Sequence, residues 1–410
     1  MDIYLVGGAV RDKLLGYPVK EQDWVVVGAS EKEMLDAGYR KVGRDFPVFL
    51  HPKTQEEYAL ARTERKTGSG YTGFSCNSST EVTLEQDLQR RDLTINAIAM
   101  DADGHLIDPY GGQADLERRL LRHTSAAFME DPLRILRIAR FSARYHHLGF
   151  EVADETLALM QQMVKAGEIE HLVAERVWQE MAKALSERHP GQFIRTLRDC
   201  GALAVLLPEL DRLFGIPQLE KLHPEVDTGV HVLLALEVAV GLSASTATRF
   251  AVLMHDLGKG LTPQAQWPAH IGHEQQGLKP LRAICQRLKA PRQHTELAQL
   301  ATRYHLDCHH ALDMPPVELL ELIRATDALR RPERFHEFVL VCEADARGRT
   351  GLQDRPYPQA EFMREILTVL QAQDYRELIA QGYKGKLLGD KIHLQQIEAI
   401  TTLITQGKSL

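Results

Sequence analysis

The chain has 410 residues, 44% hydrophobic and 26% charged, and carries a formal net charge of −7 at pH 7. That length accommodates about two to four domains, and the composition is that of a soluble globular protein. The acidic balance excludes a protein that coats nucleic acid through its overall field, so any RNA contact must come from local basic stripes.

The chain opens on Met1-Asp2 with no basic segment, and the apolar run that follows is too short for a secretory signal. Five scattered cysteines without a CxxC pair suit a reducing compartment and exclude a zinc ribbon. Together these predict a cytoplasmic protein.

Ile3–Val6 reads as a short buried strand. Gly7-Gly8-Ala9-Val10-Arg11-Asp12 follows, then the amphipathic Lys13-Leu14-Leu15-Gly16. Paired glycines let backbone N–H groups approach an anion because no Cβ intervenes. A helix starting there turns its positive end to the same anion. Glu21 and Asp23 lie two apart before the apolar strand Trp24–Val27, so an extended chain points both carboxylates to one face. Such a pair can hold Mg²⁺, and two such ions can clamp an in-line phosphoryl displacement.

Residues 46–50 and Glu57–Ala61 read as further strands. Lys66–Ser75, rich in Gly and Ser, reads as a loop, either a plain connector or a flap preceded by Arg62, Arg65 and Lys66. In Asp87–Ala97, helical spacing puts Asp87 and Arg91 on one face as a salt bridge. Arg91 can also grip phosphate through its guanidinium fork. Asp108-Pro109-Tyr110-Gly111-Gly112 is a turn by composition.

From about residue 113 the pattern is helical. Asp131 before Pro132 makes an N-cap and first helical position. Arg134, Arg137, Arg140 and Arg144 then recur every three or four residues beside an apolar stripe of Leu133, Leu136, Ala139 and Ala143. By pattern alone this is an amphipathic helix with a solvated basic face. Ala174–Leu185 falls within this helical stretch, and Pro208 to Gln218 reads as a boundary.

Beyond residue 220, His231, His255-Asp256-Leu257-Gly258-Lys259 and Asp345 stand out, as do His270, His273 and His305. Imidazoles and carboxylates together suit a divalent transition metal. The apolar run from Val230 to Leu242 is broken by His231 and Glu237, so no membrane span is expected. From about Gln353 the tail is helical, charged and without a motif; it either packs or contacts RNA.

Gly-Gly-x-Val-Arg-Asp-x-Leu-Leu-Gly, followed by an acidic pair before an apolar strand, resembles the head of the polymerase-β-type nucleotidyltransferases. Within them the chain is similar to the bacterial class II tRNA nucleotidyltransferases, which add CCA to tRNA. Glu21-x-Asp23 departs from the commoner Asp-x-Asp by one methylene. Arg90-Arg91-Asp92-x-x-x-Asn96-Ala97, Asp108–Gly112, Glu130-Asp131-x-x-Arg134 and Ala174-Glu175-Arg176 match further motifs of that family in order. His231, His255-Asp256 and Asp345 resemble the HD phosphohydrolases.

The resemblance implies an α/β head over 1–112 and a helical neck and body over 113–219. An all-α HD domain over 220–350 and a helical tail over 351–410 complete it. It implies Glu21 and Asp23 as catalytic Mg²⁺ ligands, with a third carboxylate at Glu57 or Glu64. Gly8, Arg11, Arg91, Asn96, Asp131, Arg134, Arg137 and Arg140 would bind nucleotide, the last two toward phosphate or RNA. His231, His255, Asp256 and Asp345 would hold a divalent metal such as Ni²⁺ for phosphatase and 2′,3′-cyclic phosphodiesterase activity. The implied partners are tRNA, CTP and ATP, with no membrane and no evident protein partner. Rival resemblances are a bacterial poly(A) polymerase, which usually lacks the HD region, and an HD phosphohydrolase with an RNA-binding head.

An Asp–Arg pair has a physical reason to select bases. Cytosine and adenine both present an amino donor beside a ring-nitrogen acceptor, which a carboxylate and a guanidinium can pair. Guanine and uracil present the opposite order and would leave those groups unpaired.

Overall fold

A computed structural model describes residues 1–19, 21–42, 48–66 and 74–407. The chain divides into two compact units, Met1–Leu206 and Leu207–Leu410.

The first unit is built on a seven-stranded sheet. Its strands are β1 (Asp2–Val6), β2 (Asp23–Val27), β3 (Arg40–Lys41), β4 (Val48–Leu50), β5 (Glu57–Leu60), β8 (Ala99–Met100) and β9 (Leu106–Ile107). They lie in the order β3-β4-β5-β2-β1-β8-β9. The β6 (Thr63–Lys66) and β7 (Phe74–Asn77) strands form a separate antiparallel hairpin. Residues 67–73 of the predicted flap lie outside the described residues, as do residues 46 and 47 of the predicted strand.

Val25 and Val26 show why this sheet is two-sided. Successive side chains point to opposite faces. Val25 joins Val6, Leu88 and Ala97 in one core, while Val26 joins Met34, Phe49 and Leu60 in the other. Each such valine, fully buried, contributes roughly 1.5–3 kcal/mol.

Helices α1 (Gly8–Leu14), α2 (Glu31–Asp36), α3 (Leu84–Gln89) and α4 (Gly112–Arg118) accompany the sheet. The α2 and α3 helices both start with capping boxes, Ser30 with Glu33 and Thr83 with Gln86. Asp108 accepts from the backbone N–H groups of Gly112 and Gln113, which turns the chain into α4.

The rest of the unit is helical: α5 (Leu133–Tyr145), α6 (Asp154–Lys165), α7 (Ala174–Ser186), α8 (Pro190–Asp199) and α9 (Ala202–Leu206). A two-residue parallel ladder, β10 (Leu120–Leu121) with β11 (Glu151–Val152), interrupts this otherwise all-α stretch. Asp131 Oδ1 accepts from Leu133 N at 3.0 Å, so the predicted cap is present at the start of α5.

The second unit is all-helical. It comprises α10 (Pro208–Asp211), α11 (Thr228–Leu242), α12 (Thr246–Met254), α13 (His273–Gln276), α14 (Leu278–Leu288), α15 (Arg292–His309) and α16 (Pro316–Ala325). After these come α17 (Pro332–Arg347), α18 (Pro358–Gln371), α19 (Arg376–Ala380) and α20 (Gly385–Gly407). The α11, α12, α15 and α17 helices pack on one another around buried polar side chains. The tail packs into this unit, α18 against α17 and α20, and α20 against α16. Among the described residues no helix is long and apolar enough to cross a membrane.

Candidate active sites

Strand register builds the first site. Val6 faces Asp23 across antiparallel β1 and β2, and Asp23 faces Glu57 across parallel β2 and β5. The glycine turn after Val6 and both carboxylates therefore share one edge of the sheet. They border a cleft of about 680 Å³, whose lining also includes Glu21, Arg11, Arg91, Asn96, Asp131, Arg134, Arg137 and Arg140. Every head and neck residue that the resemblance assigns to Mg²⁺ or nucleotide, Glu64 apart, thus lines one cavity. Glu57 joins them; the side chain of Glu64 lies outside the described residues.

Gly7 is required by two observations. Its φ is +68°, and a Cβ there would lie 2.8 Å from Arg91 Nη1. Arg91 is oriented by Asp87, which accepts from its Nη2 at 3.1 Å, while its buried Nε has no partner. A guanidinium packed against a glycine turn with an unspent donor suits an anion. Asp23 points the other way electrically. Asp23 stays exposed at the cleft mouth, but the protein around it displaces enough water to raise its carboxyl above the ordinary value; Arg91 opposes this, and Glu21 adds to it. A divalent cation between these carboxylates would relieve both costs, so the donor set fits Mg²⁺.

The arginine stripe is not a solvated face. Arg134 and Arg140 are buried, and each arginine has its own clamp. Arg134 donates to the main-chain carbonyls of Ala127 at 2.7 Å and Arg90 at 2.5 Å. Arg137 donates to Asp92 at 2.7 Å, Arg140 to Glu180 at 2.7 Å, and Arg144 to Asp12 at 3.2 Å. Burial alone would raise the Asp92 carboxyl, but Arg137 and the Asn96 amide outweigh it and hold it well below the usual range. Arg11 is likewise committed, donating to Asp12 and Asn96 and lying 5.2 Å from the ring centres of Phe141 and Tyr145. Asp131 accepts from Arg176 at 3.0 Å, so α7 braces the proposed base reader.

The sequence shows Asp12, Asp92 and Arg176 only as members of motifs, and gives neither them nor Glu180 a partner. Their signal was weak because each acts on a partner dozens of positions away.

The second site lies in the other unit. His231 comes from α11, His255 and Asp256 follow α12, and Asp345 comes from α17. His231 Nε2 is 3.0 Å from Asp345 Oδ1, and His255 Nε2 is 3.3 Å from Asp256 Oδ2 and 3.6 Å from Asp345 Oδ1. All four are buried. The structure therefore brings the four predicted ligands together. His273 and His305 face Asp256 Oδ1 at 3.3 and 3.8 Å, whereas His270 turns away to Thr262 and the carbonyl of Pro217. Gly258 makes the turn possible, since a Cβ there would meet the His273 carbonyl oxygen at 1.9 Å.

His255 Nε2 and Asp256 Oδ1 are buried without hydrogen-bond partners. Burial would lower the His255 imidazole, but the Asp256 and Asp345 carboxylates push it up to about 10. The cluster thus favours a positive charge at its centre, and its two imidazoles and two carboxylates fit a divalent ion. His255 Nδ1 faces the Val252 carbonyl at 2.7 Å, which aims Nε2 inward. Glu225, unforeseen in the sequence, lies 3.0 Å from Nδ1 of both His223 and His231. Lys259 Nζ contacts Asp256 at 2.7 Å and Gln218 at 2.5 Å.

Comparison with known proteins gives three family matches along the chain. Residues 3–122 match the poly A polymerase head domain, and 149–214 match the "Probable RNA and SrmB-binding site of polymerase A". Residues 228–346 match the HD domain. The multifunctional CCA protein of Teredinibacter turnerae is 61% identical over 405 residues, covering 99% of this chain and 98% of that protein. The chain belongs to the multifunctional CCA protein family. A second member, from Thioalkalivibrio sulfidiphilus, is 58% identical over 403 residues, with 98% of each chain covered. The fold of this family member also matches the Thermotoga maritima CCA-adding enzyme complexed with tRNA. The TM-score is 0.64 at 20% identity, over 97% of this chain and 87% of that one.

Proposed function

We propose that this chain completes and repairs the 3′-terminal CCA of tRNA from CTP and ATP in the first unit, without a nucleic acid template. A second site in the other unit hydrolyses phosphate esters, including 2′,3′-cyclic phosphates. The carrying observation is the convergence of the Gly7 turn, Asp23, Glu57, Arg91, Asp131 and Arg134 on one cleft.

Arg91 and the backbone after Gly7 receive the triphosphate, and Asn96 faces the ribose. Asp131 accepts from the amino group of cytosine or adenine, and Arg134 donates to the adjacent ring nitrogen. Arg176 and the carbonyls of Ala127 and Arg90 hold that reading pair rigid. The tRNA 3′-hydroxyl attacks the α-phosphate and pyrophosphate leaves. Glu21 and Asp23, with Glu57 beside them, would hold Mg²⁺, which would supply charge neutralisation for the attacking and leaving oxygens.

At the second site His231, His255, Asp256 and Asp345 would hold a divalent ion, Ni²⁺ being one that the donor set suits, and the chemistry it would supply is activation of water for attack on phosphorus. Lys259 lies where it can meet the ester's phosphate oxygens. We assign 1–112 to chemistry, 113–219 to nucleotide selection and tRNA, 220–350 to the hydrolase and 351–410 to its support, all acting in the cytoplasm, where tRNA is matured.

Incorporation of CTP and ATP into tRNA lacking its CCA end tests the reading. Ordered addition of two C and one A supports it. Unlimited A addition returns the poly(A) polymerase reading, and no addition returns the HD phosphohydrolase with an RNA-binding head. The HD match over 228–346 weighs against the poly(A) polymerase, and the carboxylates in the cleft weigh against the other rival.

A further inference from the structure

Helix α15 presents His305 and His309 one turn apart, and each ring meets a different carboxylate of the buried cluster. His305 Nε2 lies 3.8 Å from Asp256 Oδ1, and His309 Nε2 lies 2.7 Å from Asp345 Oδ2. Asp345 is therefore divided. Its Oδ1 faces His231 and His255, and its Oδ2 is taken by His309.

The far side of His309 is also engaged. Its Nδ1 lies 2.8 Å from the Tyr357 hydroxyl. A carboxylate only accepts, so His309 donates from Nε2, and Nδ1 is left to accept from the Tyr357 O–H, for which Cys308 Sγ at 3.6 Å is the longer, competing acceptor. The Gln359 side chain donates to the His309 main-chain carbonyl at 3.1 Å, which fixes the end of α15 as well. Tyr357 and Gln359 stand at the start of α18, past the segment matched by the HD domain.

We infer that His309 is a positioning residue for the ion centre. It holds Asp345 so that Oδ1 faces the ion, and Tyr357, contributed by the C-terminal segment, fixes its ring and tautomer. The inference rests on reading the cluster as a divalent-ion site. The physical reason lies in the carboxylate torsion. The χ2 well of an aspartate is broad, so a ligand carboxylate without a partner on its second oxygen pays an ordering cost each time it binds. A hydrogen bond already present on that oxygen removes the cost, and losing such an outer partner typically weakens metal binding by about 10–100-fold. The segment after residue 350 is thereby part of the hydrolase centre.

The test uses the full chain, stripped with chelator and titrated with Co²⁺ or Ni²⁺, the ion being followed by calorimetry and by the visible spectrum of Co²⁺. His309→Ala is expected to weaken ion binding by about 10–100-fold and to alter the Co²⁺ spectrum. Tyr357→Phe should weaken it less, and His309→Gln, which keeps an N–H donor, should recover part of the loss. Thermal unfolding of the chelated proteins controls for folding.

Wild-type affinity and spectrum in His309→Ala would overturn the positioning role. If His255→Ala loses the ion while His309→Ala keeps it, only that role falls. If the wild-type protein takes up no ion, the ion-site reading fails and this inference with it.

Discussion

Asp23 and Glu57 are register partners, each at the first position of its strand, β2 and β5, which run parallel and adjacent. Parallel neighbours in register bring two carboxylates to the same edge, beside the glycine turn that closes β1. Glu57 thereby joins Glu21 and Asp23 in lining the cleft. Glu57→Gln is expected to lower nucleotide incorporation at least about tenfold, the equivalent of 1.4 kcal/mol in the barrier, while tRNA affinity stays unchanged. Asp23→Ala should abolish addition, and Glu21→Asp should keep substantial activity because the charge remains. Single-turnover incorporation with CTP measures all three. Wild-type turnover by Asp23→Ala would remove the two-ion reading.

Gly7→Ala should act on two levels. The backbone at φ +68° and ψ −131° disfavours an L side chain by roughly 1–3 kcal/mol, and the new methyl would press on Arg91 Nη1. The expected result is a lower thermal midpoint together with a raised KM for CTP. A variant with the midpoint lowered and KM unchanged would separate Arg91 from the triphosphate.

Arg134→Ala is expected to loosen base choice more than it weakens triphosphate binding. A base edge left facing an incomplete partner costs on the order of 1–3 kcal/mol, so discrimination of CTP and ATP against UTP and GTP should fall by that amount. Competition among the four nucleotides measures it. Unchanged preference would make the guanidinium a purely structural link between the Ala127 and Arg90 carbonyls.

Asp92 gives a pH dependence whose sign follows from its depressed carboxyl. In the unfolded chain it titrates near 3.9, while in the fold Arg137 and Asn96 keep it ionised to lower pH. Its contribution is complete above the unfolded value and is lost as pH falls toward the folded one. By pH 3 the loss is about 1 kcal/mol. Asp92→Asn should be less stable at pH 7, since it leaves Arg137 without its carboxylate, yet should lack this part of the acid sensitivity. Unfolding curves at pH 7 and pH 3 for both proteins give the difference, and an equal acid loss in the two would remove Asp92 from the account.

What the sequence discloses here depends on how local each cause is. The Gly7–Gly8 turn and the Glu21, Asp23 pair are local, and both are visible in a stretch of twenty-five residues. The placing of Glu57 is not, because strand register rather than spacing brings it to the cleft. The arginine periodicity of α5 is equally plain in the chain. Its pattern suggests a solvated face, however, because Asp12, Asp92 and Glu180, which clamp it, come from distant segments. In the second unit the four ligands carry a recognisable order. Glu225 and His309 do not, since each is defined only by the ligand it touches. The tail, without a motif of its own, still delivers Tyr357 to that centre.

The two sites should work independently. Glu21 and Asp23 belong to the first compact unit, and His255 and Asp256 to the second, each with its own buried core. His255→Ala removes one of four ligands, and the orphaned Asp256 and Asp345 carboxylates would then face each other without the imidazole between them. Hydrolysis of a chromogenic phosphate ester and of 2′,3′-cyclic nucleotides should disappear, and no added divalent ion should restore it. CCA addition to acceptor tRNA should continue at the wild-type rate, because the carboxylates and arginines of the first cleft keep every partner they have. Both activities are measured on the same purified protein, with unfolding curves to show that it is folded. If the wild-type protein shows no ion-dependent hydrolysis, His255 and Asp256 only tie helices together. If a well-folded His255→Ala protein loses CCA addition, the two units are coupled, and the route of that coupling becomes the question.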